Sequence, residues 1–195
     1  MKIRKAAVAG LAALSLLSLA ACNRGTTDPN AATGSNGKPI VLGLAVANLQ
    51  ADFFNQIKQS VEAEAKAKGV TVQVSDAGGD SATQVNQIQD FITRQVSAII
   101  YIPAGATAAG VPVKAAKAAN IPVINVDRNA PDAPGNTFIA TDSVAAAKEL
   151  GEYMIKEQKS KGNIAILQGQ IGTTPQVDRQ TGFEQVAPSY VVPAA

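Results

Sequence analysis

The chain of 195 residues has no histidine, no tryptophan, one cysteine and two methionines, and aromatic residues make up only 4% of it. Without histidine no Ser-His-Asp or Cys-His nucleophile can be assembled. A zinc centre built from cysteine and histidine is excluded in the same way. One cysteine cannot close an internal disulfide. Charged residues are 16% of the chain and the formal net charge is +2, with no basic stripe, so there is no nucleic-acid signature. Glycine patterns that cradle phosphate are missing too. "GGDSATQ" (78–84) and "GQIGTT" (169–174) lack the lysine and the spacing of a phosphate loop. No metal site and no cofactor follow from any of this. What remains, at 46% hydrophobic residues, reads as a globular chain.

The single cysteine stands at a boundary. Lys2, Arg4 and Lys5 precede an uncharged run of sixteen residues, Ala6 to Ala21, which is short for a stable membrane span. That order is a secretory signal. Leu19-Ala20-Ala21-Cys22 resembles the bacterial lipobox, in which the thiol is lipidated and the cysteine becomes the first residue after cleavage. Several acyl chains together hold a soluble domain to a membrane, where one alone binds marginally. The plainer alternative is an incidental cysteine in an ordinary signal. Cleavage before Cys22 would remove three basic residues and no acid, leaving 14 basic against 15 acidic. The expected organisation is therefore a signal peptide at 1–21, followed by a lipidated Cys22 and a flexible tether at 22–39, rich in Gly, Thr, Asn and Pro.

From Ile40 the chain alternates between apolar runs and amphipathic segments. "IVLGLAVA" (40–47) predicts a buried strand. Asp52 to Lys68 predicts a helix with Phe54, Ile57, Val61 and Ala65 on its inner stripe. Strands are expected at Val70–Asp76, Val96–Pro103, Ile121–Asp127, Asn136–Asp142 and Asn163–Gly169. Helices are expected after Ser81, at Ala106–Ala119, at Ser143–Lys159 and from Gln176. Ser81 and Gln84 have the spacing of a capping box, with Val85, Ile88 and Ile92 facing inward. Short strands alternating with helices imply an α/β fold with a parallel sheet covered on both faces. Two Lys-rich helix ends running through glycine into a strand, "AEAKAKGVTVQVSD" and "KEQKSKGNIAILQG", suggest a lobe at 40–141 and the start of a second, incomplete one at 142–195.

In such sheets a ligand sits beyond the C-terminal ends of the strands. After the first strand come Asn48, Phe53 and Phe54. Phe53 is off the buried stripe and could offer a flat apolar face to a sugar ring, or both rings could simply staple the helix to the sheet. After the fourth strand come Asp127, a pair of acceptor oxygens, and Arg128, a fork of donors, suited to the hydroxyls of a polyol. An ordinary surface Asp-Arg turn is the alternative. Asp142 at a helix start reads equally as a cap. Arg179 is either a further polar contact or an exposed helical arginine.

With those residues in place, the chain resembles the periplasmic sugar-binding proteins of the ribose/galactose type, the substrate-binding components of ABC importers. The likeness is carried by "LGLAVANLQADFFNQIKQSVEAEAKAKGVTVQVSDAGGD", "QVNQIQDFITRQVSAIIYIPA", "KAANIPVINVDRNA" and "LQGQIGTTPQVDRQTGFEQ", covering about 40–185. It implies two Rossmann-like lobes that close on a monosaccharide. It implies that Asn48, Phe53 and Phe54 touch the sugar from the first lobe, that Asp127 and Arg128 read its hydroxyls, and that Arg179 reaches in from the second. Asp80 and Thr141 occupy positions where relatives carry Asn and a small polar residue. The partners implied are a monosaccharide, the membrane subunits of an ABC permease and the membrane itself through the lipid, with the protein a monomer outside the cytoplasmic membrane. Relatives run longer, so a truncated chain binding its sugar weakly is the expectation. A ligand-sensing receptor for a membrane signalling partner is a second reading. A glycoside-acting enzyme is a third, for which Asp80 and Asp127 are the only carboxylates expected on one edge.

Overall fold

Alternation of side chains along the first strand decides the architecture. The computed structural model describes residues 31–106 and 108–187. The expected signal segment and Cys22 lie outside the described residues. In β1 (Val41–Val46), Leu44 and Val46 face one way and Ala45 the other, and all three are fully buried. A strand covered on both faces needs helices on both sides, and the chain supplies them.

Strands β2 (Thr71–Asp76), β3 (Ala98–Tyr101), β4 (Val123–Val126) and β5 (Thr137–Ile139) join β1 in one sheet of order β2-β1-β3-β4-β5. Every pairing is parallel. Helix α1 (Asp52–Ala67) covers one face, where Phe54, Ile57 and Val61 pack with Leu44, Val46, Val74 and Ile102. Helices α2 (Ser81–Thr93) and α3 (Gly110–Ala118) cover the other, where Ile88, Phe91 and Val113 pack with Ala45, Ile99, Tyr101 and Val123. The strand order reverses at β1–β3, the arrangement that opens a crevice beyond the strand ends. Among the described residues no helix is long and apolar enough to cross a membrane.

Beyond the sheet, α4 (Ser143–Glu157) and α5 (Thr174–Glu184) pack against each other. Glycine makes the approach possible on both sides. A methyl at Gly182 would collide with the Val144 backbone, and one at Gly151 would lie 2.6 Å from Val186 Cγ2.

Four expectations need correction. The run Asn163–Gly169 forms no strand, and its Leu167 is 99% exposed. An extended segment becomes a strand only by pairing its backbone, and no described strand lies beside it. The third helix begins at Gly110, not Ala106, because Ala108 turns into the left-handed region (φ 61°) and breaks the helical path. Helix α2 is capped by Asp80, whose carboxylate accepts from the Thr83 amide, and not by a Ser81–Gln84 box. Its buried residues are Gln84, Ile88 and Phe91; Ile92 faces inward as expected and packs half-buried against the same core, and Val85 is half-buried. The described end of the expected tether is also folded: Thr33 bridges Pro39, and the Ala32 amide donates to the Gly69 carbonyl at 2.8 Å.

Candidate functional site

The turn after β4 sets the site. Asp127 adopts φ 60°, in the left-handed region that Asp, Asn and Gly tolerate best. Its amide donates to the Ile139 carbonyl (2.9 Å), and the next amide, of Arg128, donates back to Val126 (2.6 Å). This tight reversal puts two successive side chains, Asp127 and Arg128, on the same cleft. Below it, Asn125 is completely buried and accepts from the Gly135 amide at 3.0 Å, fastening the loop that follows.

Arg128 is heavily bonded. Its Nη1 donates to the carbonyls of Pro103 (3.0 Å) and Ala104 (3.1 Å) and to Gln170 Oε1 (2.8 Å). Its guanidinium lies over the Phe54 ring, 5.1 Å from the centroid, a cation–π placement. Its Nε is 3.8 Å from Asp127 Oδ2. Phe54 in turn meets Phe53 edge to face, with centroids 5.3 Å apart. Phe54 is buried in the core, whereas Phe53 is 58% exposed and offers its ring outward.

Charge is costly in this position. The Asp127 side chain is only 19% exposed. Burial pushes its carboxyl above the ordinary value, against the pull of Arg128 and Arg179. Burial likewise pushes the Arg128 guanidinium down, opposed by Asp127, though arginine stays charged in proteins. Two ionised groups held half out of water, each with unspent hydrogen-bonding capacity, suit a neutral ligand rich in hydroxyls.

The cleft has a volume of about 260 Å³. Phe53, Phe54, Asp127 and Arg128 line one side, and Gly169, Gln170, Thr173, Pro175, Gln176 and Arg179 line the other. Five of the eight residues expected from sequence thus come together. Three do not line it. Asn48 accepts from the Gln50 amide (2.9 Å) and bends the chain into α1. Asp80 caps α2, and the Thr83 amide holds its carboxyl below the ordinary value. Thr141 is exposed just ahead of α4. Asp142, read equally as a cap, does cap α4 through the Ala145 amide at 3.0 Å. Asp80 and Asp127 therefore do not face one another across this cleft.

Sequence reasoning missed Gln84 and Gln170. The signal for Gln84 was its place on the inner stripe of α2 with Ile88 and Phe91, where an uncharged polar residue must have a partner. Gln170 lies in the glycine segment 169–174, whose lack of a phosphate-loop lysine gives no hint of a polar contact there. A larger groove of about 390 Å³ runs between α4, α5 and residues 164–169. Leu150, Met154, Ile164, Ile166 and Leu167 make its apolar part, and Gln168, Gln176, Arg179 and Gln180 its polar part, where Gln168 and Gln176 both donate to Gln180 Oε1 at 2.9 and 3.0 Å. Among the described residues no cluster of His, Cys, Asp and Glu could hold a metal ion.

Comparison with known proteins agrees with this fold. Residues 42–193 match the family model described as periplasmic binding protein domain. The ribose import binding protein RbsB of Bacillus subtilis is 33% identical over 187 residues, covering 94% of this chain and 60% of that protein. The periplasmic binding component of the arabinose ABC transporter of Shewanella sp. ANA-3, solved with α- and β-L-arabinofuranose, is 31% identical with a TM-score of 0.69, covering 77% of this chain and 51% of that one. The fructose-binding periplasmic domain of a hybrid two-component system is 27% identical with a TM-score of 0.73, covering 77% of this chain and 50% of that one. The chain spans half to three-fifths of the length of these relatives. A doubly covered parallel sheet, a cleft at its switch point and a family match over most of the sequence lead to one statement: this chain belongs to the periplasmic binding protein domain family.

Proposed function

We propose that this chain captures a monosaccharide outside the cytoplasmic membrane for delivery to an ABC permease. The observation that carries the reading is the meeting of an exposed aromatic face, Phe53, with the Asp127–Arg128 pair in one cleft. Phe53 stacks on the C–H face of the ring. Asp127 accepts from adjacent hydroxyls and Arg128 donates to ring or hydroxyl oxygens. Arg179 and Gln176 approach from the side of α5. Relatives that bind ribose and xylitol, and one solved with arabinofuranose, support a sugar or polyol of similar size. In this reading the ligand leaves unchanged, Cys22 carries the lipid that keeps the monomer at the membrane, and the segment that follows Cys22 serves as the spacer.

Nuclear magnetic resonance titration tests this, because it reads weak as well as tight binding. Ribose, xylose, arabinose, galactose and glucose are added to residues 23–195. The expected result is a set of shifts at 53–54, 127–128 and 169–179 for at least one sugar, lost in Asp127→Ala. A folded sample that responds to none of them overturns the reading. Release of the full chain from membranes by Cys22→Ala tests the anchor separately.

A second reading is supported by the likeness to the fructose-binding domain of a two-component system. The same cleft would then report sugar to a membrane signalling partner. Adjacent permease and ATPase genes favour import, and an adjacent sensor kinase gene favours signalling.

A further inference from the structure

The side chain that braces the backbone beneath Arg128 lies outside the cleft. Gln84 is one turn inside α2, on the face that carries Ile88 and Phe91, and is 1% exposed. A buried amide that has given up water must bond through both of its polar atoms or destabilise the fold. Gln84 does so on a single short stretch of chain. Its Nε2 donates to the Ile102 carbonyl at 2.9 Å, and its Oε1 accepts from the Ala104 amide at 2.7 Å.

That stretch is the exit from β3, and it has few means of fixing itself. Pro103 has no N–H, and the Ile102 amide is spent on the Ala45 carbonyl at 2.9 Å. The amide of Gln84 acts as a strut across the turn. The carbonyls of Pro103 and Ala104, held by that strut, are the two backbone acceptors of Arg128 Nη1. With Phe54 beneath the guanidinium, they fix both its position and its plane.

We propose that Gln84 is a positioning residue for Arg128. It sets the two carbonyls that orient the guanidinium, so that a ligand oxygen entering the cleft replaces Gln170 and leaves those carbonyl bonds intact. Nη1 carries two hydrogens against three acceptors, and Gln170 alone of the three is a side chain free to leave. The consequence for affinity rests on the sugar-binding reading; the effect on Arg128 does not.

Arginine-selective nitrogen resonance on the full chain tests this without ligand, with the Arg128 signal identified by its loss in Arg128→Lys. In the unmodified chain the Arg128 terminal nitrogens rotate slowly. In Gln84→Leu, with circular dichroism unchanged, they average to fast rotation while the exposed Arg94 is unaffected, and any sugar affinity falls on the order of tenfold. Where Gln84→Leu fails to fold, Gln84→Asn, which retracts the amide by one methylene, carries the test. An Arg128 signal unchanged in a folded Gln84 variant overturns the proposal. So does a fast-exchanging Ala104 amide in the unmodified chain. Absence of any sugar response in the unmodified chain overturns the sugar reading instead and leaves the arginine result standing.

Discussion

Arg128 Nη1 lies 2.8 Å from Gln170 Oε1, so the two sides of the cleft are joined by one side-chain hydrogen bond. The Asn129 amide donates to Thr174 Oγ1 at 3.0 Å just beside it. Gln170 therefore occupies an acceptor position that a ligand oxygen would need. Gln170→Ala removes a competitor and no core contact. We expect sugar affinity to rise by about two- to fivefold, the size of one exchanged hydrogen bond, measured by titration against the unmodified chain.

Arg128→Lys keeps the charge and loses the fork. A lysine ammonium cannot hold two carbonyls, stack on Phe54 and present a further donor in one plane. Sugar affinity should fall about 10- to 100-fold, as for hydrogen bonds to a charged group. Circular dichroism should show the fold retained.

The neighbouring phenylalanines should separate binding from stability. Phe53 is mostly exposed, so Phe53→Ala should change unfolding free energy by less than about 0.5 kcal/mol. Its sugar affinity should still drop on the order of tenfold. Phe54 is a core residue beneath Arg128, and Phe54→Ala should cost about 3–5 kcal/mol in denaturant unfolding.

Asp127 links the site to pH. Its carboxyl titrates above the unfolded value because burial disfavours the ionised form. Its contribution to stability is therefore present below the unfolded carboxylate range and lost as pH rises through the folded value. Asp127→Asn removes that loss and keeps a residue suited to φ 60°. At neutral pH the variant should melt higher than the unmodified chain, each kcal/mol reading as about 2–4 °C. The gap should close as pH falls below the carboxylate range. Sugar binding, deprived of its charged acceptor, should weaken at the same time.

Gly43 is the test of the sheet itself. A methyl there would lie 2.6 Å from Phe91 Cδ2, inside the packing between β1 and α2. Gly43→Ala should cost about 1–3 kcal/mol through overpacking, seen as a lower denaturant midpoint.

Much of this fold was legible because it is periodic. The inner stripe of α1 and the apolar run of β1 announce themselves every three to four and every two residues. The rule that ligands gather at strand ends then brought Phe53, Asp127 and Arg128 to one edge. What stayed hidden depends on partners far along the chain. Gln84 reaches 18 and 20 residues ahead to Ile102 and Ala104, and no local pattern encodes that bond. Asp80 and Ser81 are both good caps one position apart, and only the backbone geometry chooses between them. The run Asn163–Gly169 has the composition of a strand, yet pairing makes a strand and composition does not.

The left-handed backbone at Asp127 has a bearing on how this site can be redesigned. Asp, Asn and Gly are the residues that meet φ 60° with least strain, although Gln95, Ala108, Lys159 and Ser160 show that others in this chain bear it. With those three the cleft can carry a negative charge, a neutral amide or nothing, on an unchanged loop. On the sugar-binding reading, a library built there should begin with these three members, which change the charge of the cleft and spare the turn.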